Sequence, residues 1–290
     1  FPDSGITLNN SSNCTISQNA ILNNYNGIYL TNSSQANVIR DNTITSNNRY
    51  GIIIDSSNNT DIRRNILSSN NYGIYLNNSA SAILRNNSMI CNKYNFGVWG
   101  NNLSNFIHDV DTSNKANKKP IYYLVNQHSQ NVPADAGYVA AINSTNITIR
   151  NLILTNNTAG VLLAYSKDST VGNVSGTSNS YGVELISSQR NTISANSLTG
   201  SDFAILSFHS NNNTISQNTL SNNSRAILVY ESNDTTITNN SLEGGTSGTS
   251  IFRGKNNTVT GNLITHIKIG GSAISLVAAN ATISGNALES

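Results

Sequence analysis

The chain runs to 290 residues, of which 10% are charged and 37% hydrophobic, with a formal net charge of +2. Without a strong basic field it is not built to bind nucleic acid, and with no run of about 18 apolar residues it carries no helical membrane span. It opens at Phe1 and its one methionine is Met89, which reads as a processed chain or an excised piece.

In chain order, the first hundred residues carry Asn19, Asn42, Asn65 and Asn87 at intervals of 23, 23 and 22. Late in the chain Asn196, Asn218, Asn240 and Asn262 keep an interval of 22. A period of this kind means that one small unit is stacked many times. Each unit holds three short apolar pulses. One is Thr15-Ile16, repeated as Thr192-Ile193, Thr214-Ile215 and Thr236-Ile237. A second lies two residues past the Asn, at Ile21, Ile44, Leu67, Met89, Leu198 and Leu220. The third follows a small residue, as in Gly27-Ile28-Tyr29-Leu30, Gly51-Ile52-Ile53-Ile54 and Gly73-Ile74-Tyr75-Leu76. Pulses this short suit strands and not amphipathic helices. The expected fold is all-β: a right-handed single-stranded parallel β-helix with three strands and three corners per coil of about 22 residues, coils about 4.8 Å apart, in one domain over 1–290.

At the corners, Asn tolerates a left-handed backbone, and stacked side-chain amides can bond from coil to coil. The Gly or Ala column is expected to make a second sharp corner for the same backbone reason. Leu152 and Val174 fill the Asn column by packing.

The clock breaks over about 106–142. No strand pulse is visible between Asp111 and Pro120, which reads as a protruding loop, with a second around Pro133. Here lie His108, Asp109, Asp111, Lys115, Lys118, Lys119, His128 and Asp135. A His with neighbouring carboxylates could serve acid-base chemistry on a glycan, and two His with an Asp could hold a metal. A polar break in a repeat is also what solvent demands. The spacing matches no catalytic or metal signature, so no catalytic residue, metal or cofactor is assigned.

Two outward columns carry further chemistry. Two residues past the small corner residue stand Tyr29, Ile53, Tyr75 and Trp99, then Leu162, Glu184, Leu206 and Leu228. Such a stripe can stack on sugar rings or pack against a neighbouring subunit. Arg40, Arg63 and Arg85 form a guanidinium column that an acidic glycan could bind, unless Asp41 and Asp61 neutralise it. Cys14 and Cys91, about three coils apart, are roughly 14 Å from each other and read as free thiols. Sequons are frequent, with Asn58, Asn102 and Asn143 as candidate acceptors in a glycoprotein.

The unit Asn13-Cys14-Thr15-Ile16-Ser17-Gln18-Asn19 followed by Gly27-Ile28-Tyr29-Leu30 resembles the parallel β-helix repeat of the pectate-lyase-like superfamily. It is most similar to the NosD-like, carbohydrate-binding and sugar-hydrolase type repeats of archaeal (methanogen) surface proteins. The interruption from Asp111 through Tyr123 resembles an insertion common in those proteins. The resemblance implies acidic calcium ligands with an Arg base, or three close Asp residues with a His, or copper handling through a Met/His/Cys cluster. None of these constellations is present in the sequence: Asp55 has Thr31 and Asn77 as its neighbours one coil away, and Glu184 has Leu162 and Leu206.

The terminal segments read as uncapped coils, Gly5-Ile6-Thr7-Leu8 at one end and Ile283 with Asn286-Ala287-Leu288 at the other. Setting Ser290 of one copy against Phe1 of the next completes one coil, with Gly5, Ile6, Leu8, Ile283, Asn286 and Leu288 in the contact. The expectation is a structural subunit, extracellular or on the cell surface, that stacks head to tail with itself into a filament or sheath-like layer. The alternatives are a glycan-binding module and a polysaccharide lyase or hydrolase.

Overall fold

A computed structural model of the chain describes residues 3–289. They form a right-handed parallel β-helix of about thirteen coils, with a single 3-10 turn at Leu103–Phe106 among the described residues. Two compact units are distinguished: one of residues 3–125 with Asp135–Val139 and Asn156–Thr158, the other of Asn126–Ala134, Ala140–Thr155 and 159–289.

In the first unit each coil supplies a six-residue strand and two strands of two or three residues. The long strands, Ser4–Asn9, Asn26–Thr31, Tyr50–Asp55, Tyr72–Asn77 and Tyr94–Trp99, pair side by side in one parallel sheet. Like residues stack on like. Ile16, Ile39, Ile62, Leu84 and Val110 stand in register, as do Ile21, Ile44, Leu67, Met89 and Ala116. All are buried, each large one stabilising the fold by about 1.5–3 kcal/mol. The second unit repeats the arrangement, with Ile149, Val171, Ile193, Ile215, Ile237 and Val259 in one row and Leu198, Leu220, Leu242 and Ile264 in another.

The Asn column forms the expected ladder. Asn42 Oδ1 accepts from both the backbone N–H and the Nδ2 of Asn19, at 3.0 Å each. Its own Nδ2 donates to Ile16 O and to Asn65 Oδ1. The chain of amides continues through Asn65 and Asn87 to Asn114, and in the second unit from Asn196 through Asn218, Asn240 and Asn262 to Asn286. The conformational reason given for Asn is corrected by the geometry. The left-handed residue is the one before the ladder position, Gln18, Asp41, Arg64 or Asn86, with φ of 51–59°. Asn occupies the column for its amide, which four buried backbone and side-chain groups require.

The Gly column is corrected in the same way. Gly27 has no positive φ, but a Cβ there would lie 2.5 Å from Gly51 O and 2.6 Å from Ile44 Cγ2. Close approach of the next coil, not turn geometry, selects the small residue.

The interruption is not the bare loop expected from its lack of pulses. Asp109–Val110 and Lys115–Ala116 continue two of the first unit's sheets, and Lys119–Val125 folds back antiparallel on Lys115–Ala116. Asn114, 27 residues after Asn87, is the next rung of the ladder. The five extra residues hid it.

Asn65→Ala would strand the buried Asn42 N–H, break the Asn42–Asn65 amide bond and remove the amide donor to Ile39 O and Asn87 Oδ1. At about 1–3 kcal/mol per orphaned group, the variant is expected to lose several kcal/mol in guanidinium denaturation, whereas alanine at the exposed Asn48 changes the midpoint little.

Candidate functional site

The long-strand sheet of the first unit turns three rows of side chains outward. One row is Tyr50, Tyr72 and Tyr94; the next is Tyr29, Ile53, Tyr75 and Gly97; the third is Asp55, Asn77 and Trp99. Trp99 therefore does not extend the Tyr29 and Tyr75 row, as its spacing from Gly97 suggested. The small corner position of that coil is taken by Asn95, across from Gly73, which shifts the register by two. Phe96 consequently points into the core, edge-on to Tyr138 at 5.0 Å.

Where Ile53 interrupts the tyrosines, the surface sinks into a basin of about 360 Å³. Ile53, 8% exposed, is its floor. Tyr29 and Tyr75, one coil to either side, are walls. Asp55 and Asn77 form one rim, held rigidly: Asn77 Nδ2 donates to Asp55 Oδ1 at 2.9 Å, and the Tyr29 hydroxyl lies 3.4 Å from Asp55 Oδ2. The other rim is Tyr50 and Arg49, whose guanidinium carbon lies 4.9 Å from the Tyr50 ring centre. Tyr50 is braced by Tyr72 at 4.9 Å and Tyr75 at 5.5 Å. Burial pushes the Tyr50 hydroxyl above its ordinary range, so it stays protonated and able to donate. Aromatic walls around an apolar floor, with a carboxylate, an amide and a guanidinium at the lip, suit a ring bearing hydroxyls.

The other sequence candidates are placed as follows. The arginine column is neutralised. Arg40 and Arg64 both pair with Asp41, Arg63 with Asp61, and Arg85 with Asp109 and Asp111. The Arg64 guanidinium, with help from Arg40, holds the Asp41 carboxyl below its usual range. Asp109 and Asp111 are thus brought together by Arg85, not by a catalytic partner. His108, in the link between Leu103–Phe106 and Asp109–Val110, is buried and not solvated, its Nδ1 accepting from the Ala82 N–H at 3.2 Å and its Nε2 donating to Asn105 O at 3.0 Å. Burial pushes it down to about 4, so it is neutral at pH 7. Asp135 accepts from the Tyr122 hydroxyl at 2.9 Å, and the Lys115 ammonium donates to Thr112 O. His128 is exposed in the second unit, bridged to Thr145.

At the terminal coils, Gly5 is exposed and Ile6 and Leu8 half-buried, while Ile283 and Leu288 are 44% and 55% exposed. Asn286 accepts from Asn262 as the last rung. Phe1 and Ser290 lie outside the described residues.

A family model described as "Periplasmic copper-binding protein (NosD)" matches residues 2–120 and 112–272. The chain belongs to this NosD family. No curated protein matches it. Among solved structures it is similar to the A-module of mannuronan C-5 epimerase AlgE6 from Azotobacter vinelandii, with 15% identity, 95% of this chain and 79% of that one covered, and a TM-score of 0.41. It is similar to an alginate lyase from Paenibacillus sp. str. FPU-7, with 12% identity, 95% of each chain covered and a TM-score of 0.45. A mutant tailspike protein of E. coli bacteriophage HK620 in complex with a pentasaccharide matches at 9% identity over 98% of this chain and 54% of that one, with a TM-score of 0.41. Nothing of their activities carries over at these levels.

The family's description names copper, and the residues present do not fit it. Among the described residues no three of His, Cys, Asp and Glu converge on a metal position. Both ring nitrogens of His108 are engaged, Met89 is fully buried in the core, and Cys14 Sγ lies 3.5 Å from Ser12 O. His209 and His266 each face a single glutamate, Glu231 and Glu243.

One buried acid in the second unit stands out. Glu184 sits in the row of Leu162, Leu206 and Leu228, is 1% exposed, and its Oε1 has no hydrogen-bond partner. Burial pushes its carboxyl up from 4.5 to about 8. Between those values the folded chain keeps a proton that the unfolded chain has released. The stability tied to this group is therefore full at acid pH and declines as the pH rises through the window. Glu184→Leu, which restores the apolar row, is expected to flatten the decline and to gain on the order of 3 kcal/mol at pH 8 relative to pH 5, measured by denaturant unfolding at both pH values.

Proposed function

We propose that the protein is a glycan-binding β-helix, extracellular or on the cell surface, with the basin between Tyr29 and Tyr75 as its sugar site. The supporting observation is the basin itself: an apolar floor at Ile53, two aromatic walls and a pre-ordered Asp55–Asn77 rim. A pyranose ring set on Ile53 meets the tyrosines with its C–H faces and the rim with its hydroxyls, exchanging water for the aromatic surface. Asp55 offers both oxygens as acceptors, and Asn77 and Arg49 supply donors. A carboxylate fixed by Tyr29 and Asn77 suits recognition, which needs rigid acceptors in place before the ligand arrives.

A glycan array followed by titration calorimetry on its hits tests this reading. Tyr75→Ala and Tyr29→Ala are each expected to weaken the best hit tenfold or more, about 1.4 kcal/mol, and Asp55→Asn to weaken it with the fold intact. Trp99→Ala, outside the basin lining, is expected to change affinity little. An array without hits, or Tyr75→Ala binding as well as the parent, would refute the proposal.

A second reading, head-to-tail self-association, is favoured by one observation. Ile283 and Leu288 are half exposed, whereas Val259 and Ile264, their partners one coil below, are fully buried. A second copy set against this coil would cover them. Sedimentation velocity is expected to show concentration-dependent oligomers that Leu288→Lys abolishes; a monomer at every concentration rejects it.

A further inference from the structure

Two rows of the second unit's long-strand sheet carry mostly aromatic and aliphatic residues until Ser247–Phe252 and Ser272–Val277, where both change to serine. Tyr181, Phe203 and Arg225 are followed by Ser247 and Ser272, and Leu206 and Leu228 by Ser250 and Ser275. The register sets Ser247 beside Ser272 and Ser250 beside Ser275, and all four line one basin. Loss of four large side chains leaves a basin of about 170 Å³ with Arg225 at one edge and Phe252 at another.

Three features give this basin a sign. No carboxylate is among the side chains that line it. The Arg225 guanidinium is held over the Phe203 ring, 5.3 Å from its centre, which fixes the direction of its N–H fork. Ser247 and Ser250, 8% and 5% exposed, bond to each other at 2.6 Å and to nothing else among the described residues. A hydroxyl pair of this kind uses one hydrogen between its two oxygens and leaves the other without an acceptor. Both serines line the basin, so the spare hydroxyl is placed to donate to an oxyanion that enters it. Ser272 and Ser275 add two more hydroxyls with no protein partner.

We propose that this basin is a binding site for a sugar bearing a tetrahedral oxyanion, a sulfate or phosphate ester. Arg225 and the serine hydroxyls hold the anion, and the exposed part of Phe252 supports the sugar ring at the mouth. The two oxygens of a planar carboxylate are both taken by an arginine fork, whereas a group with three free oxygens keeps one for the serine hydroxyls that share the basin. The site is separate from the Tyr29 and Tyr75 basin and does not rest on it.

The test is titration calorimetry of the whole chain at low salt with galactose 6-sulfate, galactose 6-phosphate, galactose and inorganic sulfate. At least one ester is expected to bind tenfold or more tightly than galactose and than inorganic sulfate, and to weaken as salt is added. Arg225→Gln should lose tenfold or more, Arg225→Lys less, and Phe252→Ala should weaken the ester while leaving inorganic sulfate unchanged, with thermal melts confirming that each variant folds. Tyr75→Ala should bind the ester as the parent does. Esters no tighter than galactose, an Arg225→Gln variant that binds normally, or loss of binding in Tyr75→Ala would each overturn the proposal. Inorganic sulfate binding as tightly as the esters would overturn the sugar contact at Phe252.

Discussion

The structure depends on the buried amide that passes from coil to coil. A coil of about 22 residues encloses a core only a few side chains wide, so its corners leave backbone N–H and C=O groups inside with no strand partner. Asn42 answers two of these demands, accepting from the Asn19 N–H and donating to Ile16 O, while its amide also bonds those of Asn19 and Asn65. A short planar amide with two donor hydrogens and a two-lone-pair acceptor meets all of these at one position. The ladder also fixes register. A slip of one residue would break the Asn contacts of every coil at once, whereas isoleucine stacked on isoleucine would tolerate some sliding.

Register fixed in this way turns the outward face into rows, and a row is where function can be written cheaply. Replacing one tyrosine by Ile53 leaves the ladder untouched and opens a basin between its neighbours. Replacing large residues by serines at Ser247, Ser250, Ser272 and Ser275 does the same in the second unit with the opposite polarity. In both, the basin is made by subtraction from a regular array. The core behind it does not change: Ile52 and Ile54, flanking Ile53, are fully buried. In the first unit rigidity follows, since the residues around Ile53 stand on paired strands or directly before them.

The fold was legible because its determinants are periodic. Asn19, Asn42, Asn65 and Asn87 announce the coil, and the Thr-Ile and Gly-Ile-x-Leu pulses announce the strands. The second ladder, Asn24, Asn47, Asn70 and Asn92, has the same 23, 23 and 22 spacing five residues on and could have been found by the same count. Other features were illegible for physical reasons. Asn114 escaped because five inserted residues displace it from the clock. Trp99 was set in the wrong row because Asn95 takes a position that glycine holds in the coils before, and a spacing rule keyed to glycine jumps to Gly97. The reason for glycine itself was misread, since a sequence shows that a residue is small but not whether backbone torsion or a neighbouring carbonyl requires it. The basin at Ile53 was seen only as a stripe; the depth comes from the lean of Tyr75 against Tyr50 and Tyr72, which no spacing records.

The family and the residues pull in different directions, and side-chain chemistry decides between them. The NosD match rests on the repeat: corner amides, stacked aliphatics and small residues at close approach, all of which any coil of this kind needs. None of them is a metal ligand. Two of the soft and basic donors are used otherwise: Met89 as filling, His108 as a substitute rung that accepts the Ala82 N–H. What distinguishes the chain within its fold is therefore carried by the outward residues that depart from the repeat, and these are aromatic, hydroxylated and guanidinium groups. Such groups recognise hydroxyls, ring faces and oxyanions, which is the chemistry of a decorated glycan.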